Sequence, residues 1–345
     1  MGRPSPPTRA SVPAACAAAA IVLAGCLGIG GDENEPEHGG NLIVSIGDSV
    51  AAGQGNPAPT QPHWLSHRCY RSTLSGQWIA AHEVIASNPP ADLGFVSFAC
   101  SGATIDQGLL GAQRTGPFAQ ERPQLDRLEE LAGNSTIEAV LVSVGANDVG
   151  FSRIVTFCAT HENCPARRDY GPARDWARAN DRPAPTLSEF VARAIGDLAA
   201  GYRRVGARIP PEVAGDRVLI VEYFDPTRWP AGTQCAIFRR AVLRLPVDDL
   251  VTREESRWAH DQVLLPLNDA VHDAAEEHGW TVVEGVDERF DGHGICAPPA
   301  QRWVRTLGES LERQQDPFGT LHPNEAGHRA TAGLITPLLS AALGG

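Results

Sequence analysis

The sequence predicts an α/β fold, a sandwich of three layers in which helices cover both faces of a central sheet. Five short apolar segments alternate along the chain with stretches of helical periodicity, a pattern typical of βαβ units and a parallel sheet. The chain has 345 residues, of which 42% are hydrophobic, enough to bury one large core. We therefore expect a mostly parallel sheet of five strands within a single domain at 41–345.

The individual elements follow from the spacing of apolar residues. Short apolar runs predict strands at 42–46, 95–98, 139–144, 218–221 and 281–283. Apolar residues spaced three and four apart predict helices at 75–86, 124–132, 187–209, 253–278 and 324–343. Residues 160–185 are charged and contain four prolines, so we expect a surface excursion there. A second irregular excursion is expected at 225–251.

The charged residues exclude several classes of function. All 29 basic residues are arginines, because the chain contains no lysine. The absence of lysine excludes Schiff-base chemistry, attachment of pyridoxal phosphate and the phosphate-binding lysine of a P-loop. The 41 acidic residues bring the formal net charge to −12, which argues against a nucleic acid partner.

The N-terminal segment is typical of an exported protein. Residues 1–25 contain two arginines and no acidic residue, and their apolar stretch at 14–23 is too short to span a bilayer. The stretch ends in Leu23-Ala24-Gly25-Cys26, which resembles the lipobox of bacterial lipoproteins and implies a lipidated Cys26. An ordinary secretory signal peptide is the alternative. Residues 26–40 are acidic and lack periodicity, so we expect a flexible tether.

The cysteine count also favours export. Two of the eight cysteines precede the domain, and the remaining six are Cys69, Cys100, Cys158, Cys164, Cys235 and Cys296. An even number in an exported chain predicts disulfides, although six cysteines allow 15 connectivities. Cys158, His161 and Cys164 could instead hold a metal ion. No fourth ligand lies nearby, so we expect a disulfide and no metal site.

Four polar segments lie where the predicted strands end or the last helix begins. Gly47-Asp48-Ser49 follows the first strand, and the segments that contain Gly102, Asn147 and His322 follow in that order. The carboxyl ends of parallel strands meet at one edge of a sheet, so these segments can converge. Ester hydrolysis requires a nucleophile, a base and oxyanion donors. We assign Ser49 as nucleophile and His322 as base. The oxyanion donors are the backbone N–H groups of Ser49 and Gly102 and the Asn147 amide.

These four segments in this order resemble the SGNH (GDSL) hydrolase family, whose four blocks carry Ser, Gly, Asn and His. The resemblance extends over the whole predicted domain and includes Val149-Gly150-Phe151 and Pro323-Asn324-Glu325. It implies a flavodoxin-like fold and an esterase that forms an acyl-enzyme on Ser49 with His322 as general base. It implies no cofactor.

The segments around Cys69, residues 99–104 and Pro123-Gln124-Leu125 resemble the secreted actinobacterial esterase and lipase branch of that family. This resemblance implies the disulfides Cys69–Cys100, Cys158–Cys164 and Cys235–Cys296.

The branch also bears on the group that orients the histidine. The wider family has an aspartate three residues before its histidine, whereas this chain has Gly319 there. The branch replaces that carboxylate with a main-chain carbonyl, which implies a Ser-His dyad with the Gly319 carbonyl as orienter. Asp316 is the alternative orienter.

The substrate is less closely defined than the reaction, because the same four residues suit several esters. The resemblance favours acyl lipids or simple acyl esters, and an acetylated carbohydrate is the alternative on the same site. Outside enzymes, the alternative is a catalytically silent ligand-binding lipoprotein. We expect the acyl pocket near Tyr70, Phe151 and Cys235, a membrane contact through the lipid anchor, and a monomer.

Overall fold

The computed structural model describes residues 40–60, 63–87, 92–117, 119–213, 215–237 and 251–344. The predicted signal peptide, the lipobox at Cys26 and the tether up to residue 39 lie outside the described residues, as do residues 238–250 of the second predicted excursion.

Five parallel strands form the central sheet, which confirms the predicted fold class. They are β1 (Asn41–Gly47), β2 (Leu93–Ser97), β3 (Thr136–Ser143), β4 (Val218–Val221) and β5 (Thr281–Val283). Their spatial order is β2-β1-β3-β4-β5, and every neighbouring pair is parallel. This flavodoxin-like order reverses direction at β1, where α/β sheets place their ligands.

Helices cover the sheet. They are α1 (Ser49–Ala52), α2 (Gly76–Ala86), α3 (Gln124–Ala132), α4 (Phe151–Cys158), α5 (Gly171–Asn180), α6 (Leu187–Gly206), α7 (Arg253–Ala259), α8 (Leu265–His278), α9 (Val286–Arg289), α10 (Leu307–Gln314) and α11 (Glu325–Ala342). Helix α2 packs against α11, and α6 packs against α8. Connections between parallel strands are right-handed. The chain moves from β1 to β2 in one direction across the sheet and to β3, β4 and β5 in the other, so the helices of these two sets of connections lie on opposite faces.

The predicted surface excursion at 160–185 is partly wrong. The structure places helix α5 within it, with Pro172 in the first turn, where the missing N–H has no cost. Ala173 and Ala177 are four residues apart, so they lie on one face of the helix, and both are buried. The charged residues that suggested a surface loop occupy the other faces of this helix.

The helix predicted at 253–278 is continuous but changes its winding in the middle. A π-helical turn at His260–Leu264 joins α7 to α8. Pro266 follows this turn and has no N–H to donate to the preceding turn, which is a common cause of such irregularity.

Three disulfides join Cys69 to Cys100, Cys158 to Cys164 and Cys235 to Cys296, the same pairs that the family resemblance implies. Two short antiparallel ribbons, Gln113–Arg114 with Gln120–Glu121 and Arg228–Trp229 with Thr233–Gln234, lie outside the sheet. Among the described helices, none combines the length and apolar character needed to cross a bilayer.

Candidate active site

Ser49 lies at the carboxyl end of β1, at the first position of the short helix α1. Gly47 makes the turn possible, because it has a φ of +142° and a Cβ at this position would overlap the carbonyl oxygen of Ser143. Asp48 caps the helix by accepting the backbone N–H of Val50 at 2.9 Å. The Asp48 carboxyl also accepts the Tyr223 hydroxyl at 2.6 Å. These two hydrogen bonds of Asp48 fix the backbone next to Ser49 and therefore the position of the Ser49 side chain.

His322 comes from a distant part of the chain and meets Ser49 directly. Its Nε2 lies 2.8 Å from the Ser49 Oγ, although the two residues are 273 positions apart. Burial lowers the pKa of His322 to about 4, while the Thr320 and Gly319 carbonyls act in the opposite direction. The imidazole is therefore neutral at neutral pH, the form that can accept a proton from a serine.

Two main-chain carbonyls, those of Thr320 and Gly319, act on the imidazole of His322. The His322 Nδ1 lies 3.3 Å from the carbonyl oxygen of Thr320. The Gly319 carbonyl, which we expected in this role, accepts the backbone N–H of His322 at 3.1 Å. The Gly319 carbonyl nevertheless raises the pKa of the His322 ring, as the Thr320 carbonyl does, so its expected orienting role stays a prediction. A proton on Nδ1 leaves Nε2 free to accept the Ser49 hydroxyl.

Asp316, the alternative orienter, is used elsewhere. Its carboxylate accepts the Tyr70 hydroxyl at 2.6 Å, the Phe318 N–H at 2.8 Å and the Gln314 amide at 2.5 Å. Among the described contacts, none joins Asp316 to the His322 ring. The carboxylate shapes the loop that carries the histidine, and its charge raises the pKa of the His322 ring without a hydrogen bond among the described contacts.

The three expected oxyanion donors come from the ends of β1, β2 and β3, which are adjacent in the sheet. Gly102 has a φ of +79°, a conformation that glycine adopts without strain. The Asn147 amide donates to the Ala103 carbonyl at 3.0 Å, and an amide nitrogen carries a second hydrogen. Within the described part of the chain, the backbone N–H groups of Ser49 and Gly102 have no protein acceptor. All three residues line one cleft and stay the predicted oxyanion donors.

The loops that carry these donors are tied together. Asp148 follows Asn147 and accepts the backbone N–H of Ile105, with its two oxygens at 3.0 and 3.2 Å. Burial raises the pKa of Asp148 to about 7 and that of Asp48 to about 6. Both carboxyl groups act as hydrogen-bond acceptors that hold the loops in position. The Cys69–Cys100 disulfide closes the same arrangement beside Gly102.

Two clefts meet at the Ser49 hydroxyl. The first, called the apolar cleft, has a volume of about 110 Å³ and is lined mainly by α4, by the π-helical turn and by residues after β4. The second, called the polar cleft, has a volume of about 470 Å³ and is lined by Gln54, His67, Arg68, Tyr70, Ser101, Gly102, Arg114, Thr115 and Phe318. Ser49, Asn147, Ser152 and His322 line both. A bound ester would have one side in each cleft.

The described residues hold no cluster of three or more potential metal ligands. The rival metal site at 158–164 is replaced by a disulfide, and the His161 ring stacks on Phe157 instead.

The profile of the GDSL-like Lipase/Acylhydrolase family matches residues 45–330, the range that contains all four site segments. The chain belongs to this family. Lipase 2 of Streptomyces coelicolor is 30% identical over 305 residues, covering 84% of this chain and 82% of that protein. Lipase 1 of the same organism is 25% identical over 306 residues, covering 87% and 85%. The predicted resemblance to actinobacterial lipases is thus confirmed, and this GDSL family member is a carboxylic ester hydrolase.

Solved structures share the fold. The extracellular lipase of Streptomyces rimosus matches with a TM-score of 0.57 and 22% identity, over 88% of this chain and 99% of that one. Phospholipase A1 of Streptomyces albidoflavus NA297 matches with a TM-score of 0.52 and 23% identity, over 87% and 98%. These likenesses confirm the α/β architecture of the GDSL domain.

Sequence reasoning missed part of the apolar cleft. Helix α4 was not predicted, although Phe151, Ile154, Val155 and Cys158 recur at the three- and four-residue spacing of an amphipathic helix. Phe151 lies in the apolar cleft as expected, whereas Tyr70 lies in the polar cleft. The excursion near Cys235 contributes Thr227, Ile237 and Val251 to the apolar cleft, as expected, although Cys235 itself lines neither cleft and is bonded to Cys296.

The depressed pKa of His322 leads to an expected pH profile for this GDSL hydrolase. With His322 as the predicted base, the neutral imidazole is the active form, so we expect kcat/KM to fall as pH drops below the pKa of about 4 and to be level above it on this limb. Rates measured from pH 3 to 8 with a soluble ester test this. If kcat/KM instead fell off around pH 6.5, the ordinary pKa of histidine, burial would not lower the pKa of the active imidazole.

Replacing Asp316 by asparagine tests whether the site is a dyad. The asparagine side chain keeps an oxygen that can accept from Tyr70, so we expect kcat to fall by less than about tenfold, against the ~10⁴-fold lost with a triad aspartate. Steady-state kinetics of Asp316→Asn decide the matter, with thermal melting to show that the loop remains folded. A loss near 10⁴-fold in a folded variant would make Asp316 the orienter.

Replacing Asn147 by alanine is expected to remove one oxyanion donor. Loss of such a donor lowers kcat by about 10²- to 10³-fold, with a much smaller change in KM, because the oxyanion forms only in the transition state. Ser152→Ala, at another residue that lines both clefts, is the matched control. An Asn147→Ala variant that raised KM and left kcat unchanged would assign the amide to substrate binding instead.

Proposed function

We propose that the protein is an exported serine esterase that hydrolyses acyl esters through an acyl-enzyme on Ser49. The observation that carries the proposal is the 2.8 Å contact between the Ser49 Oγ and the His322 Nε2 at the junction of the two clefts. The neutral state of the buried imidazole supports its role as general base.

The geometry supports the following sequence of steps. His322 Nε2 takes the hydroxyl proton of Ser49 as Oγ attacks the ester carbonyl carbon. The carbonyl oxygen becomes an oxyanion and accepts hydrogen bonds from the Ser49 and Gly102 amides and the Asn147 side chain. His322 then gives its proton to the departing alcohol, leaving an acyl-Ser49 ester. Water repeats the two steps, with His322 again as base, and releases the carboxylic acid.

The Thr320 carbonyl fills the orienting role in this mechanism. By accepting a proton-bearing Nδ1 it selects the tautomer in which Nε2 faces Ser49. During the reaction it also stabilises the imidazolium, although as a dipole and not as a full charge. A Ser-His dyad is therefore the arrangement that the contacts support.

The apolar cleft supports acyl lipids or simple acyl esters as substrates. Its lining includes Val149, Phe151, Ile154 and Val263, side chains that favour a hydrocarbon chain over water. An acetyl group would leave most of this surface unfilled, so we do not favour the acetylated carbohydrate. The names of the two Streptomyces coelicolor relatives, both lipases, agree with this choice.

Export is supported by the three disulfides, which persist in oxidising compartments. We include in the proposal a lipid on Cys26 that holds the domain at the membrane surface. Expression of the full chain and of Cys26→Ser in a lipoprotein-processing bacterium tests this. The first should sediment with membranes and the second should not, while an equal distribution would refute the anchor.

A phosphonate ester that reacts with activated serines tests the proposed chemistry directly. The wild-type protein should become covalently labelled, and peptide mass mapping should place the label on Ser49. Hydrolysis of 4-nitrophenyl esters of increasing chain length then reports acyl preference, with butanoate or longer expected to exceed acetate. Label on another residue, or a protein inactive against the whole series, would contradict the proposal.

A further inference from the structure

The polar cleft is cationic in a protein that is otherwise acidic. Arg68 and Arg114 line it, and no aspartate or glutamate is among its described lining residues. The chain as a whole carries 41 acidic residues against 29 arginines. The described lining of this cleft therefore holds two arginines and no carboxylate, in contrast to the acidic composition of the chain.

Neither arginine is neutralised by a described neighbour. Both side chains are exposed, and within the described residues neither forms a salt bridge or a hydrogen bond to a protein acceptor. Arg208 and Arg228, by contrast, bind carboxylates at distances of 2.5 to 2.8 Å. The nearby carboxylate of Asp316 is occupied by three donors, one of them the Tyr70 hydroxyl. The guanidinium groups of Arg68 and Arg114 are thus free to bind a ligand.

Both arginines are held next to the oxyanion donors. Arg68 precedes Cys69, which forms a disulfide with Cys100. The Cα atoms of these two cysteines are 4.2 Å apart. Arg114 follows Gln113, whose amide donates to the Ser101 carbonyl at 2.7 Å. Each cation is therefore one residue away from a covalent or hydrogen-bonded link to the loop of Gly102. Both arginines line the polar cleft, which contains Ser49, and neither lines the apolar cleft.

We propose that Arg68 and Arg114 form a subsite for an anionic group, a phosphate in particular, on the alcohol portion of the ester. The inference rests on the proposed function of Ser49, since the apolar cleft takes the acyl chain and leaves the polar cleft for the alcohol. Guanidinium groups bind phosphate oxygens through paired charge-assisted hydrogen bonds. The two arginines are specificity-determining residues, and the preferred substrates are acyl esters of phosphorylated alcohols.

A matched pair of substrates tests the subsite. Dihexanoylglycerol phosphate and dihexanoylglycerol have the same ester bonds and differ only in the phosphate, and both are used below the concentrations at which they aggregate. The measured quantity is the ratio of kcat/KM for the two, in the full-length wild type, in Arg68→Gln/Arg114→Gln and in Arg289→Gln. Arg289 is an exposed arginine at the end of α9 that lines neither cleft and serves as the control.

We expect the wild type and the Arg289→Gln control to favour the phosphorylated ester by about tenfold or more, mainly through KM. The double variant should lose most of that preference, and inorganic phosphate should inhibit the wild type more strongly than the double variant. An unchanged ratio in a double variant that melts like the wild type would overturn the proposal. So would a ratio that differs between the proteins only on anionic vesicles, because that result would assign the arginines to binding of the lipid surface.

The same assay separates this inference from the proposed function. Loss of hydrolysis of both esters in Ser49→Ala supports the esterase, whatever the ratio. A wild type that cleaves both esters equally refutes the anion subsite and leaves the esterase intact. A wild type that cleaves neither, with no label on Ser49, refutes both.

Discussion

Replacement of Ser49 by alanine is expected to lower kcat for a soluble ester by about 10⁴- to 10⁶-fold. In the proposed mechanism the Oγ attacks the carbonyl, so its removal abolishes the acyl-enzyme and leaves only the oxyanion donors and substrate binding to assist attack by water. The side chain contributes little to packing, so the variant should melt at nearly the wild-type temperature. Pre-steady-state measurements should also show that the burst of alcohol release disappears.

Ser152→Ala is the matched control for this prediction. Ser152 lines the same clefts but is exposed, and it lacks a hydrogen bond to His322 among the described contacts. We expect its kcat to change by less than about threefold. A Ser49→Ala protein that retained more than about a hundredth of the wild-type rate and still accepted the phosphonate label would show that another residue is the nucleophile.

Replacement of His322 by glutamine is expected to cost nearly as much as loss of the nucleophile. Without the imidazole no group accepts the Ser49 proton, and a serine hydroxyl is a weak nucleophile at its ordinary pKa. Because the two residues act as one unit, the double variant Ser49→Ala/His322→Gln should be no slower than either single variant by more than about tenfold. A double variant whose loss of kcat equalled the product of the two single-variant losses would contradict a shared role.

The pH dependence adds a second readout for His322. In the wild type the acidic limb belongs to this imidazole, so it should disappear from the residual activity of His322→Gln. The nearby His328 is a useful comparison, because it is buried, its pKa is lowered to about 3, and its Nδ1 accepts the backbone N–H of Gly76. His328 therefore packs α11 against α2. A substitution there should lower stability before it alters the pH profile.

The strands of the sheet were predictable because their residues are buried on both sides. An apolar run such as Leu42 to Ile46 has few alternatives in a chain of this composition, and it lies within β1. The ends of elements were less certain: β2 begins two residues before its predicted start and ends one residue before its predicted end. Helix α5 was missed because charge and proline dominate its sequence, while only two small residues face the core.

The site residues could be assigned from the order of segments, because each follows a strand or precedes a helix that the pattern already indicated. The group that orients His322 could not be assigned in this way. The approach of the Thr320 carbonyl to the His322 ring, beside that of Gly319, depends on the geometry of the turn, which can shift by one residue without any change in composition. The place of Asp316 was likewise open until its three donors were located.

The sequence by itself determined the five strands and their order along the chain, the candidate nucleophile and base, and the family to which they belong. These depend on local periodicity and on residue types at strand ends. Only the tertiary structure decided that the Ser49 Oγ and the His322 Nε2 are 2.8 Å apart, that the Thr320 carbonyl lies 3.3 Å from the imidazole, and that an apolar and a cationic cleft both contain Ser49. The physical reason is that distances and shared clefts arise from packing between segments far apart in the chain, about which spacing along the chain carries no information.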